Sequence, residues 1–134
     1  ALNLLPVALT CKPHPEGLLR GKIPPIECLA KTSDISFEQA LNDSDILIMD
    51  IPASTTFSIA LTTDRPIVFF NFGLLRFNKD IQKELTKRCR ILTPTYNEQN
   101  QPLIDQSLLE DVVCGGEDIA DPSFFRKLLL GSSY

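Results

Sequence analysis

The run Asp45-Ile-Leu-Ile-Met-Asp50-Ile-Pro-Ala-Ser54-Thr55-Thr56-Phe57-Ser-Ile-Ala60-Leu61 constrains the fold more than any other part of the chain. Its first half is an unbroken apolar stretch between acids, the pattern of a strand buried on both faces. Its second half sets Phe57, Ala60 and Leu61 at helical spacing behind a hydroxyl-rich start. Strand, tight turn and helix in this order form the repeating unit of a parallel α/β sheet. The helix start also leaves backbone N–H groups without partners at the positive end of the helix dipole, where phosphate binds well.

The same alternation runs through the chain. Val7–Cys11 reads as a short buried strand, stopped by Pro13 and Pro15, which cannot donate to a ladder. Residues 16–25 read as a loop and 26–30 as a second strand. A short helix follows over 36–41, capped by Ser33 or Ser36. Strands are expected at 46–49, 67–70 and 90–93. Helices are expected from Ser54 to about Thr63, over 79–88 around Ile81 and Leu85, over 105–113 up to Gly115-Gly116, and over 123–130 up to Gly131. Residues 95–102 read as a polar loop. The expected architecture is a Rossmann-like, doubly wound parallel sheet flanked by helices, in a single domain over residues 1–134. Ala1 is not an initiator methionine and residues 1–5 resemble the tail of a helix, so the chain is expected to be a piece of a longer protein.

Several function classes are disfavoured. The net charge of -4 argues against nucleic acid as the main partner. No apolar run reaches the roughly 20 residues that span a bilayer. Cys11, Cys28, Cys89 and Cys114 are scattered without a CxxC pair, so reduced thiols in a cytoplasmic protein are expected rather than a zinc site. No GxGxxG, GxxxxGK[ST] or GxSxG occurs, which speaks against a dinucleotide dehydrogenase, a P-loop enzyme and an α/β-hydrolase.

Two strand ends carry candidate chemistry, and ligands of such sheets bind beyond the carboxyl ends of the strands. At the first, Lys12-Pro13-His14-Pro15 holds the only histidine. The prolines either stiffen a turn that aims the imidazole into a cleft, to bind phosphate or shuttle a proton, or leave it packed on a loop. At the second, Ser54, Thr55 and Thr56 serve either as a helix cap alone or also as hydroxyl partners of a diphosphate. Asp50 is expected to order the turn by accepting its N–H groups, and is also a candidate cleft-lining residue. Asn71, Gly73 and Arg76 follow another strand end and are candidate cleft-lining residues, and Glu38 and Asp45 are solvated acids or ribose partners. Lys79, Lys83, Lys87, Arg88 and Arg90 form a basic cluster, read as a solvated helix face or a contact with anionic lipid.

Taken in order, Lys12-Pro13-His14-Pro15, Ser44 to Asp50, Ser54-Thr55-Thr56, Ala60-Leu61 and Arg65-Pro66-Ile67-Val68-Phe69 resemble the C-terminal donor-binding domain of GT-B glycosyltransferases. The likeness is greatest to the branch of CDP-glycerol glycerophosphotransferases and capsular or surface-polysaccharide transferases, and it covers residues 7–71. The resemblance implies a two-domain enzyme that binds a nucleotide-activated sugar or alcohol-phosphate donor in this half and the acceptor in a missing N-terminal half. It implies that Lys12, His14, Ser54, Thr55 and Thr56 contact the donor diphosphate, with His14 in a catalytic role. It also implies that no metal or other cofactor is needed, and that the enzyme works in the cytoplasm or at the inner face of the membrane. The spacing from Asp50 to Ser54 is longer than in the CDP-glycerol group and favours a sugar donor. This half alone is expected to have little transferase activity. A hydrolysing nucleotide-sugar epimerase and a non-catalytic α/β interaction domain are the alternatives.

Overall fold

The computed structural model describes residues 2, 5–11, 31–32, 36–115 and 120–131. The chain divides into two compact units, Ala1–Ser44 and Asp45–Tyr134. In the first, Thr10–Cys11 (β1) pairs in parallel with Lys31–Thr32 (β2), Thr10 opposite Lys31. The strand expected from Val7 is thus confined to its last two residues. Pro6, which has no N–H to offer a ladder, sits in a bend just before it. The strand expected at 26–30 lies outside the described residues. Phe37–Asn42 (α1) starts at Ser36, whose hydroxyl accepts from the Gln39 N–H at 3.2 Å while the Gln39 side chain accepts from the Ser36 N–H at 3.1 Å. This reciprocal capping box satisfies two donors at the helix start.

The second unit is built on a three-stranded parallel sheet: Leu47–Met49 (β3), Ile67–Phe70 (β4) and Arg90–Leu92 (β5), in the spatial order β3–β4–β5. Leu47 lies opposite Ile67, and Val68 opposite Arg90. Thr55–Thr62 (α2) connects β3 to β4, and Lys79–Arg88 (α3) connects β4 to β5. This is an α/β fold compatible with a Rossmann-like architecture. Among the described residues the strand order runs in one direction, so the reversal that defines a doubly wound sheet does not fall within these three strands.

The central strand explains itself from sequence. All four residues of β4 are buried, so both of its faces are covered, as its continuous apolar run requires. Phe57 of α2 covers one face: its ring lies 5.0 Å from that of Phe69. On the other face, shared by Val68 and Arg90, the Arg90 guanidinium reaches the Val112 carbonyl at 2.6 Å. That bond ties the sheet to Gln106–Cys114 (α4), whose Leu109 and Val113 are buried. Burial of each such side chain contributes about 1.5–3 kcal/mol. A last helix, Ser123–Leu130 (α5), packs on α2 and ends at Gly131. Its Arg126 donates to the Thr62 carbonyl at 2.7 Å and to Asp64 at 2.9 Å.

One local expectation is corrected. The segment expected as a loop over 95–102 contains an antiparallel pair, Thr95–Tyr96 (β6) with Pro102–Leu103 (β7). The Asn97 side-chain oxygen accepts from the N–H groups of Gln99 and Gln101 at 3.0 and 2.9 Å, and Asn100 takes φ 58, so asparagines turn the chain. As expected, α4 ends at Gly115, which takes φ -91. Its requirement is space, because a Cβ there would stand 2.8 Å from the Asp111 carbonyl oxygen. Among the described residues no helix is long and apolar enough to cross a membrane.

Candidate functional site

Because β3, β4 and β5 are parallel, their carboxyl ends share one edge of the sheet. The segments that leave this edge carry most of the candidate residues. Asp50 to Ser54 follow β3, and Asn71 to Asn78 follow its neighbour β4. The Asn71 N–H still donates to the Leu92 carbonyl at 2.8 Å, which holds the start of that loop against β5.

Ser54 is the N-cap of α2. Its hydroxyl oxygen accepts from the Phe57 N–H at 3.1 Å, lies 3.1 Å from the Ile51 carbonyl oxygen and 3.0 Å from Thr56 Oγ1. A hydroxyl has one proton and two lone pairs. The Ser54 side chain is therefore committed to closing the turn, with the Thr56 hydroxyl attached to it. Asp50 is exposed, and among the described residues no hydrogen bond reaches its carboxylate. Ser54 rather than Asp50 orders this turn.

The opening turn of α2 nevertheless keeps free donors. The Phe57 N–H is taken by Ser54 Oγ and the Ser58 N–H by the Ser54 carbonyl at 3.2 Å. The N–H groups of Thr55 and Thr56 have no partner among the described residues, as expected for the first turn of a helix. Around them, among the described residues, Ile51, Ala53 and Thr55 are exposed and Thr56 is half-buried. The Thr55 hydroxyl makes no hydrogen bond among the described residues. An eight-residue helix thus presents two amide donors, a threonine hydroxyl and the positive end of its dipole at the carboxyl edge of the sheet.

In the loop after β4, Asn71 Oδ1 accepts from the Gly73 N–H at 3.0 Å, and Gly73 takes φ 74, which a side chain would strain. Arg76 is exposed in the same loop. Ile51, Leu74 and Leu75 add large exposed apolar side chains to the two segments, with Leu74 at 69% exposure. Lys12 and His14 lie outside the described residues, so the structure unites Ser54, Thr55, Thr56, Asp50, Asn71, Gly73 and Arg76 at one edge without placing the imidazole. Glu38 and Asp45 are both exposed. Among the described residues no group of His, Cys, Asp or Glu side chains is arranged to hold a metal ion.

The basic cluster separates into unlike parts. Lys79, Lys83 and Lys87 are exposed, with Lys87 paired to Glu84 at 2.9 Å. Arg90 is tied to Val112. Arg88 is only 2% exposed, and it donates through Nε to Leu61 O at 3.0 Å and through Nη2 to Thr63 O at 2.7 Å, Arg65 O at 3.0 Å and Ala60 O at 3.3 Å. Burial pulls its pKa down, partly offset by neighbouring Cys89 and Asp64. Arg88 is therefore a structural cation that closes the C-terminus of α2, not a member of a solvated face. Its sequence signal is the spacing from Leu85, which puts both on the inward stripe of α3. Beside it, burial pushes the Cys89 thiol up to about 12, against a smaller lowering by Arg88.

Comparisons of the chain with protein-family models, with curated proteins and with solved structures found no match.

Proposed function

We propose that this chain is the nucleotide-diphosphate donor-binding domain of a glycosyltransferase or glycerophosphotransferase that builds bacterial surface polysaccharide. The observation that carries the proposal is the first turn of α2 at the carboxyl edge of a parallel sheet, with the Thr55 and Thr56 N–H groups free among the described residues. The ordered motifs from Lys12 to Phe69 supply the family. In this site the two N–H groups and the Thr55 hydroxyl take non-bridging oxygens of the diphosphate, and Ser54 positions them. As the bond to the transferred group breaks, negative charge grows on the departing nucleoside diphosphate, and fixed donors stabilise it without reorganising. By the resemblance, Lys12 and His14 add positive charge or a proton to the donor diphosphate.

The reversal of a doubly wound sheet then falls at the outer edge of β3, and the donor crevice opens at that switch point. Asn71, Gly73 and Arg76 line its far side. The Asp50 carboxylate has no direct phosphate contact, because its charge would repel one. The acceptor comes from a second domain, at the inner face of the membrane, and Lys79, Lys83 and Lys87 offer a contact with anionic lipid. Helix dipole and amide donors do the work of a metal ion.

The test is thermal denaturation with CDP, UDP or GDP against the matching nucleosides. One diphosphate should raise the melting temperature while its nucleoside does not. Equal, null responses to every diphosphate would leave an α/β domain without a donor site.

A further inference from the structure

The loop between β4 and α3 carries two leucines in water at its middle: Leu74 is 69% exposed and Leu75 43%. The loop is fixed at both ends. On the β4 side the Asn71 N–H donates to the Leu92 carbonyl, Asn71 Oδ1 accepts from the Gly73 N–H, and the half-buried Phe72 ring lies 6.3 Å from that of Phe70. On the α3 side Phe77 is half-buried, and Asn78 caps the helix by accepting from the Ile81 N–H at 2.8 Å. Single exposed leucines are ordinary, but an exposed pair between two anchored phenylalanines is a patch that calls for a partner.

Cations follow the leucines. From Gly73 to Lys83 the charged residues are Arg76, Lys79 and Lys83 against Asp80 alone, all four of them exposed. Lys79 and Lys83 lie one helical turn apart on one face of α3, and neither forms an ion pair among the described residues. Counting exposed Asp50, on the segment after β3, still leaves the cations in excess. The exposed apolar residues of α5, Phe124, Leu128 and Leu130, have no such collar: Arg126 is neutralised by Asp64 at 2.9 Å, and Asp121 balances Lys127.

We infer that the loop over residues 72–77 is a membrane-docking finger. It places Leu74 and Leu75 among the acyl chains of an anionic bilayer and Arg76, Lys79 and Lys83 at the lipid phosphates. An apolar tip with a cationic collar matches the layering of a leaflet, hydrocarbon beneath phosphate, and the two attractions add. Either alone gives marginal, reversible binding. The whole chain carries a net charge of -4, so the attraction is local and turns this edge of the sheet toward the leaflet. The inference names the element that makes the membrane contact of the proposed function; it rests on that contact and not on the identity of the donor.

The chain has no tryptophan, so Leu74→Trp introduces a single fluorescent reporter, with Leu128→Trp as the reference on α5. Mixed phosphatidylcholine and phosphatidylglycerol vesicles should shift the emission of Leu74→Trp to the blue and leave that of Leu128→Trp in place. Pure phosphatidylcholine should bind at least about tenfold more weakly. In vesicle sedimentation, Leu74→Ser with Leu75→Ser should lose about tenfold in affinity, and Lys79→Gln with Lys83→Gln should shrink the preference for the anionic lipid. A shift at Leu128 instead, or a Leu74→Trp emission that moves with protein concentration before vesicles are added, would overturn the inference in favour of α5 or of a second copy of the chain. Full binding by the serine pair would overturn the finger and leave the lysine contact standing, whereas no vesicle binding at all would overturn both. The melting response to nucleoside diphosphates, measured without vesicles, reports separately on the donor site.

Discussion

Four carbonyl groups at and beyond the end of α2 converge on Arg88, those of Ala60 and Leu61 in buried bonds and those of Thr63 and Arg65 in half-buried ones. A planar guanidinium spans them, whereas an ammonium makes a compact point contact. Arg88→Lys should therefore cost about 2 kcal/mol and Arg88→Leu about 3 kcal/mol in urea denaturation, since hydrogen bonds to charged groups contribute more than neutral ones and the stranded carbonyls add their desolvation. A loss under about 0.5 kcal/mol for both would show that the carbonyls find water instead. Cys89 carries the second residue-scale prediction. Its thiol is held protonated in the fold up to about 12, against 9.0 for an ordinary cysteine. Its folded pKa is raised, so its contribution to stability is whole below pH 9.0 and is lost as pH climbs towards about 12. Cys89→Ala should flatten the alkaline limb of the stability curve over that window. At pH 8, thiol-modifying reagent should label exposed Cys114 and spare buried Cys89. In the sequence Arg88 reads as the last of several cations on one helix. Only its phase relative to Leu85 marks it as inward-facing, and a charge on an apolar stripe gives no hint of which carbonyls will receive it.

At the scale of elements, α2 separates two jobs that the hydroxyl run Ser54-Thr55-Thr56 leaves mixed in the sequence. Ser54 holds the helix start, and its replacement by alanine should cost about 1 kcal/mol. Thr55 makes no internal hydrogen bond among the described residues, so Thr55→Ala should leave the urea midpoint nearly unchanged and act only on diphosphate affinity. The reverse pattern would make Thr55 structural. Apolar runs and caps were readable in advance because each has a local cause. Ile67 to Phe70 is continuous because both faces are covered, and Phe57, Ala60 and Leu61 recur at the helical period because one face is. The β6–β7 pair escaped because its strands are two residues long and exposed, too short to show period-two patterning. Its turn rests on Asn97 accepting two amides, an arrangement that sequence lets any asparagine offer. Strand β1 shrank for the opposite reason: Val7 is apolar but 40% exposed, so its character reported no burial.

For the molecule as a whole, parallel strands put chemistry at the edge where they end, and the sequence located that edge through Asp50 and Asn71. Strand order, by contrast, is a property of pairing, and nothing in an apolar run says which neighbour it takes or where the order turns back. Among the described residues the order β3–β4–β5 contains no such turn. The two edges of this sheet carry opposite characters. One offers amide donors, and the other holds a buried cation. The decisive measurement is amide NMR during titration with the nucleoside diphosphate that raises the melting temperature. The Thr55 and Thr56 N–H resonances should shift first and most, and Thr55→Ala should weaken binding about tenfold, the loss of one charge-assisted hydrogen bond. Diphosphate binding that leaves both amides unmoved would put the anion somewhere other than the start of α2.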